Sequence, residues 1–261
     1  AASRAAGDRR AEAAALTRLA EAHLAAAEAG GPIAAALSAA ADAKALHAAL
    51  QDEAGVMGAL LLLASAQTKS RAPQASLNSA ASALELASKL GDKASQAKAW
   101  QGILGARLAL GQYEDALKAG EAALVISISL GDEAEKAQTI FGIAKAHGIN
   151  GQHSKALKAG SMALEQFRAS GTSARFEQAA LDIVVQALVA LERTDEAVRQ
   201  ASSGAAALER AGERRATALA LLSLMRAHVA CGDLQAAIGS AEKAARMFRE
   251  LGDRAGEAGA L

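Results

Sequence analysis

The sequence reads as an all-α protein assembled from repeated helix pairs. Three observations carry that reading. Alanine supplies 75 of the 261 residues, against 2 prolines and 6 aromatic residues. A turn phrase recurs about every 40 residues, and small residues recur in register with it. So much of the best helix former, with so little proline and few β-branched residues, excludes a large β-sheet protein. A hydrophobic share of 52% excludes general disorder.

The turn phrase is Leu90-Gly91-Asp92, Leu130-Gly131-Asp132 and Leu251-Gly252-Asp253, with weaker copies at Gly7-Asp8, Gln51-Asp52, Gly171-Thr172 and Gly212-Glu213. The spacings are 44, 40, 40, 40, 41 and 40 residues. Halfway markers sit at Gly31, Arg71, Gly111, Gly151, Glu192 and Gly232. Each unit is therefore two helices, A and B. Glycine after the last periodic residue closes a helix in the left-handed conformation, and the following Asp or Thr caps the next. The expected units are 7–50, 51–90, 91–130, 131–170, 171–211 and 212–251, with the start of a seventh helix at 252–261. The extra residues of the first unit fall near Ala25 to Gly30, and the single extra residue of the fifth near Leu188 to Leu191. Both are expected to lengthen a helix or reshape a turn.

Small residues occupy three positions of every B helix, spaced i, i+4, i+7 on one face. The series are Ala36, Ser76, Ala116, Ala156, Ala197, Ala237; Ala40, Ala80, Gly120, Gly160, Ala201, Ala241; and Ala43, Ala83, Ala123, Ala163, Gly204, Ala244. Mid-helix glycine costs about 1 kcal/mol against alanine, so close helix approach is the expected reason for Gly120, Gly160 and Gly204. The A helices carry larger residues: Leu16, Leu60, Trp100, Ile140 and Leu221 at one register, with Ala180 the exception. Leu19, Leu63, Ile103, Ile143, Ile183 and Leu224 fill another.

This pattern resembles tetratricopeptide repeats of the roughly 40-residue kind. The unit from Leu251 to Ala258 looks like those of Pins-type adaptors, and kinesin light chains carry similar long repeats. The resemblance spans the whole chain. It implies a right-handed α-α superhelix, a solenoid of antiparallel helix pairs, with a concave groove lined by the A helices. The solenoid is expected either to continue past Leu261 or to end in a short capping helix. By family register the groove series are Thr17, Leu61, Gln101, Phe141, Leu181, Leu222; then Glu21, Ser65, Gly105, Lys145, Val185, Arg226; then Ala14, Gly58, Lys98, Gln138, Gln178, Leu219. The asparagines with which Pins-type adaptors clamp a peptide backbone are absent from the second series. The implied function is a protein–protein interaction scaffold that binds a peptide or helical segment of a partner. The candidate groove residues are Lys98, Gln101, Phe141, Lys145, Leu181, Val185, Leu222 and Arg226. Lys98, Lys145 and Arg226 suit acidic groups, and the apolar members suit a hydrophobic anchor. Leu181, Leu222 and Phe141 have core packing as their alternative reading. The alternatives for the whole chain are a self-associating scaffold (a homo-oligomer) and the regulatory module of a larger protein.

Other classes draw little support. Charge is balanced, 28 Lys plus Arg against 28 Asp plus Glu, so no basic field holds a nucleic acid. Glu209 and Glu213 nearly cancel the segment Arg210 to Arg215. One cysteine allows neither an internal disulfide nor a cysteine metal cluster. His23, His147 and His228 share a register but stand whole repeats apart, so no metal or other cofactor is expected. Cys231 with His228 lacks an orienting partner, and no enzyme activity is expected. The longest apolar run, Val56 to Ala66, is too short for a membrane span. No signal peptide is visible, and a cytoplasmic location is the expectation.

Overall fold

The computed structural model describes residues 8–28, 31–171 and 173–260, and every regular element in them is a helix. The A helices are α1 (Arg9–Glu28), α3 (Glu53–Lys69), α5 (Lys93–Ala109), α7 (Glu133–Ile149), α9 (Ala174–Ala190) and α11 (Arg214–Cys231). The B helices are α2 (Ile33–Ala49), α4 (Pro73–Leu90), α6 (Tyr113–Leu130), α8 (His153–Ser170), α10 (Thr194–Arg210) and α12 (Leu234–Glu250). A short α13 (Arg254–Ala260) follows. Gly7, Gly30, Thr172 and Leu261, which belong to the expected turn and end signals, lie outside the described residues. The chain forms two compact units, residues 1–139 and 140–261, and the division falls within α7. In the first unit, each helix from α1 to α6 packs on the next in sequence, and A helices also touch the next A helix. In the second, α8 to α13 follow the same rule, and α9 touches α11. No described helix is long and apolar enough to cross a membrane.

The turns obey one geometry. Gly91, Gly111, Gly131, Gly151, Gly171, Gly212, Gly232 and Gly252 all have φ between 61° and 83°. Gln51, Arg71 and Glu192 take the same left-handed conformation, at φ 55°, 60° and 59°, without being glycine. Wherever both residues are described, the following N–H donates back five residues, as from Asp92 to Ala87 O at 2.9 Å and from Gln112 to Arg107 O at 2.9 Å. This bond satisfies a carbonyl that the helix end would otherwise leave open. Asp52, Asp92, Asp132, Asp233 and Asp253 then cap the next helix through a backbone N–H three residues on, at 2.9 to 3.0 Å. Gly31 departs from the expectation, since its φ is not left-handed. Here α1 runs on to 20 residues, against 17 in α3, α5, α7 and α9, so most of the extra length of the first unit is helix.

The small-residue face of the B helices is buried almost throughout; only Ala241 of the three series is half-buried. In the first unit Ala64, Ala80, Ile103, Leu104, Ala116 and Ala119 form a continuous core, flanked by Leu77, Leu84, Trp100 and Leu108. In the second, Phe167, Leu181, Val185, Leu208 and Phe248 are fully buried. The rings of Phe141, Phe167 and Phe176 meet there at centroid distances of 5.5 to 6.4 Å. Leu19 is exposed, contrary to its expected core role, whereas Leu63 and Ile103 at its register are buried.

The extra residue of the fifth unit lies before α9, not at its end. Helices α3, α5 and α7 begin two residues after their left-handed turn residue; α9 begins three after Gly171 and keeps the same length. Every side chain of α9 therefore moves one place against the expected register. Buried Ala97, Ala99, Ile103, Leu104 and Ala106 correspond to buried Gln178, Ala180, Val184, Val185 and Ala187. Leu181, not Ala180, is the counterpart of Leu60, Trp100 and Ile140, which removes the apparent exception. It is wholly inaccessible, because Gly204 lets α10 come in against it: a Cβ there would lie 2.3 Å from Leu181 Cδ2.

Two outcomes follow for stability. Glu192→Gly should raise the unfolding free energy by about 0.5–1 kcal/mol in urea titrations, since relief of left-handed strain exceeds the added chain entropy; Gly131→Ala should lower it by about 1 kcal/mol. Gly204→Ala should destabilise the native protein, yet stabilise a Leu181→Ala background by about 1 kcal/mol, where only helix propensity remains.

Candidate functional site

The A helices of the first unit enclose a groove of about 800 Å³. Its walls include Thr17 and Glu21 from α1, Gly58, Leu61 and Ser65 from α3, Lys98, Gln101 and Gly105 from α5, and Gln138 from α7. All nine stand in the register series above. At Gly58 and Gly105 nothing lies within 4 Å of where a Cβ would stand, so the groove is open along α3 and α5. Lys98 is exposed and, among the described residues, has no ion-pair partner. Gln101 is engaged, donating to Glu135 O at 3.0 Å and to Thr139 Oγ1 at 2.7 Å, so it ties α5 to α7 within this unit.

Glu135 also lines the groove, and its Oε1 is buried without a hydrogen-bond partner. Burial pushes its carboxyl above the ordinary value of 4.5; Lys98 opposes this and Asp132 adds to it. At one end of the groove the Thr17 hydroxyl meets His47 Nε2 at 3.1 Å, and His47 Nδ1 meets Asp52 Oδ2 at 2.8 Å. Thr17 also donates to Ala13 O at 3.0 Å. The chain Thr17–His47–Asp52 ties α1, α2 and α3 together. Gly55 makes room for it, since a Cβ there would lie 2.0 Å from His47 Nδ1.

In the second unit a slot of about 480 Å³ opens between α7, α8 and α9. Phe141, Ile149, Ala179, Ile183 and Ala187 give it an apolar lining, and Lys145, His153, Gln178, Asp182 and Gln186 add polar groups. Leu181 and Val185 were expected to face a groove, and this is corrected: both are core, at 0% and 1% exposure. The one-residue shift of α9 puts Asp182 and Gln186 at the groove register instead. Arg226 was expected as a free cation, but it pairs with Asp182, which also accepts from Ser223 Oγ at 2.6 Å and from Gln186 Nε2 at 2.7 Å. Lys145 is exposed and has no ion-pair partner among the described residues, and Leu222 is half-buried beside this cluster on α11. The signal for Asp182 was present in the sequence. Ala180 broke an otherwise large register, and moving the extra residue to Thr172–Ser173 repairs it.

Among the described residues, no group of three or more His, Cys, Asp or Glu could hold a metal ion. Cys231 is exposed, and its thiol donates to His228 O at 3.3 Å. His147 Nδ1 bonds Gln152 Oε1 at 2.8 Å across the A–B turn.

Helix pairs closed by left-handed turns, with small residues on every B helix, decide the fold. It is a tetratricopeptide-like repeat. Solved structures of this fold agree, at identities that speak to the fold alone. The TPR-like repeats of a kinesin-light-chain-type protein of Podosopora anserina match at 18% identity and TM-score 0.63, over 74% of this chain and 94% of that one. A Rap protein complexed with competence and sporulation factor matches at 16% and 0.66, over 87% and 67%. A signal-transduction ATPase of Pyrococcus horikoshii with a tetratricopeptide repeat sensor matches at 17% and 0.67, over 94% and 37%. No protein-family model and no curated protein matches the sequence.

The pH dependence follows from Glu135. A carboxyl whose folded pKa is raised penalises the fold while it is ionised. That penalty is present above the raised value and is relieved as pH falls toward 4.5. Glu135→Gln should therefore stabilise the protein at pH 7, with a gain that shrinks as pH approaches 4.5, when unfolding is followed by circular dichroism across that range. A gain independent of pH would contradict this.

Proposed function

We propose that this tetratricopeptide-like chain is a protein-interaction scaffold whose first-unit groove seats an extended or helical segment of a partner protein. The observation that carries the reading is the continuity of the groove: three register series on α1, α3, α5 and the start of α7 converge on one open volume. Lys98 offers an unpaired cation, Gln138 an unpaired amide, and Leu61 and Leu62 apolar contact. Mixed chemistry of this kind suits a peptide with polar and apolar positions. A solved protein of the same fold has been captured with a bound factor, which is compatible with this use of the repeats. Of the remaining candidates, Phe141 and Lys145 belong to the second-unit slot, and Leu222 and Arg226 lie at the Asp182 cluster.

Gly58 and Gly105 provide the test, because both line the groove and a Cβ at either would meet nothing within 4 Å. Affinity capture from a native extract should recover a partner with the unmodified chain and with Gly239→Trp, a substitution on the open surface of α12. The partner should be lost with Gly58→Trp and Gly105→Trp, and weakened by Lys98→Glu. Recovery by both groove variants would place the interaction elsewhere.

A further inference from the structure

The second-unit slot carries a feature that repeat packing does not explain. Gln178 stands at the register of Met57, Ala97, Ala137 and Ala218, all of them buried apolar residues. It is itself only 9% exposed, it lines the slot, and its amide makes no hydrogen bond. The amide atoms themselves are not sealed from solvent, so they are reached through the slot, where they offer a ligand both a donor and an acceptor. Phe141, Ile149 and Ile183 give the slot an apolar lining, and Lys145 lines it too. Asp182 adds no free negative charge, because its oxygens are taken by Arg226, Ser223 and Gln186. Among the described residues Lys145 has no ion-pair partner, so the slot presents one cation to an anion.

We infer that the slot binds a small free carboxylic acid with an apolar body. The body lies against Phe141, Ile149 and Ile183, and the carboxylate accepts from the Lys145 ammonium and the Gln178 amide. A compact ligand is favoured over a peptide running along the A helices. The Asp182–Arg226–Ser223 bridge joins α9 to α11 at the groove register, where a peptide running along the A helices would have to pass. The volume of about 480 Å³ is that of a small-molecule cleft. The site shares no residue with the first-unit groove, so it stands or falls independently of the peptide reading.

The test uses phenylacetate as the probe on the full chain, followed by calorimetry and by saturation-transfer NMR. Saturable binding is expected, and neutral phenylacetamide should bind about tenfold more weakly or worse. Lys145→Met and Gln178→Met should each weaken phenylacetate by about tenfold or more. The latter installs the residue found at Met57, so the core is retained, which unchanged circular dichroism verifies. Lys44→Met on the exposed face of α2 should leave phenylacetate binding unaltered. Absence of binding at millimolar phenylacetate, or equal binding to both slot variants and the native chain, overturns the proposal. So does tighter binding of a capped Phe-Asp peptide than of the free acid.

Discussion

Along one face of every B helix the neighbouring helices meet side chains no larger than a methyl or a hydroxymethyl group, and that close approach is the constraint on which the rest depends. Ala80, Ala83, Ala123, Ala163 and Ala201 are wholly excluded from solvent, and at Gly160 and Gly204 even a methyl would press on Ile183 and Leu181. Burial of methyl groups alone yields little apolar area per residue. The fold compensates by letting larger residues of the A helices, such as Ile103, Leu104, Leu181 and Val185, sit directly against the opposing backbone. Dispersion and area then come from A-helix side chains together with Phe167, Leu208 and Phe248 near the ends of their B helices, and the small-residue face contributes proximity. This division of labour leaves the opposite face of each A helix free of packing duty, which is why the groove and the slot lie there.

The turns fix where that face points. A left-handed residue and a back-donated N–H reverse the chain in two or three residues, and with the aspartate caps before α3, α5 and α7 they set the register at which those helices enter. Much of this was legible in the sequence, since the 40-residue spacing and the glycines state it directly. Gln51, Arg71 and Glu192 show why glycine alone is an incomplete guide: position in the repeat forces the conformation even on residues that resist it. The one-residue offset of α9 was less legible. A spacing of 41 locates an insertion within a unit but not within a helix or a turn, and only the burial pattern separates the two. The consequence was local and specific, exchanging Leu181 and Val185 for Asp182 and Gln186 on the exposed side.

The candidate sites were legible in outline and not in charge state. Register brought Thr17, Leu61, Lys98, Gln101 and their neighbours into one groove. It was silent on which polar groups the protein consumes itself. Arg226 is spent on Asp182, and Gln101 on Thr139 and the Glu135 carbonyl. Lys98, Lys145, Gln138 and Gln178 are left with unsatisfied capacity, and such pairings depend on side-chain reach between helices that spacing does not encode. The sites are therefore defined less by the residues that point into them than by those left without partners.

The most direct measurement of the close-approach constraint compares one substitution on two faces of a single helix. Ala201 is fully buried on α10 and Ala206 is exposed on the same helix. Urea unfolding of Ala201→Leu should show a loss of about 1–3 kcal/mol from overpacking, while Ala206→Leu should stay within about 0.5 kcal/mol of the native chain. Equal effects at the two positions would contradict the account, since the small residues would then be composition and not specification.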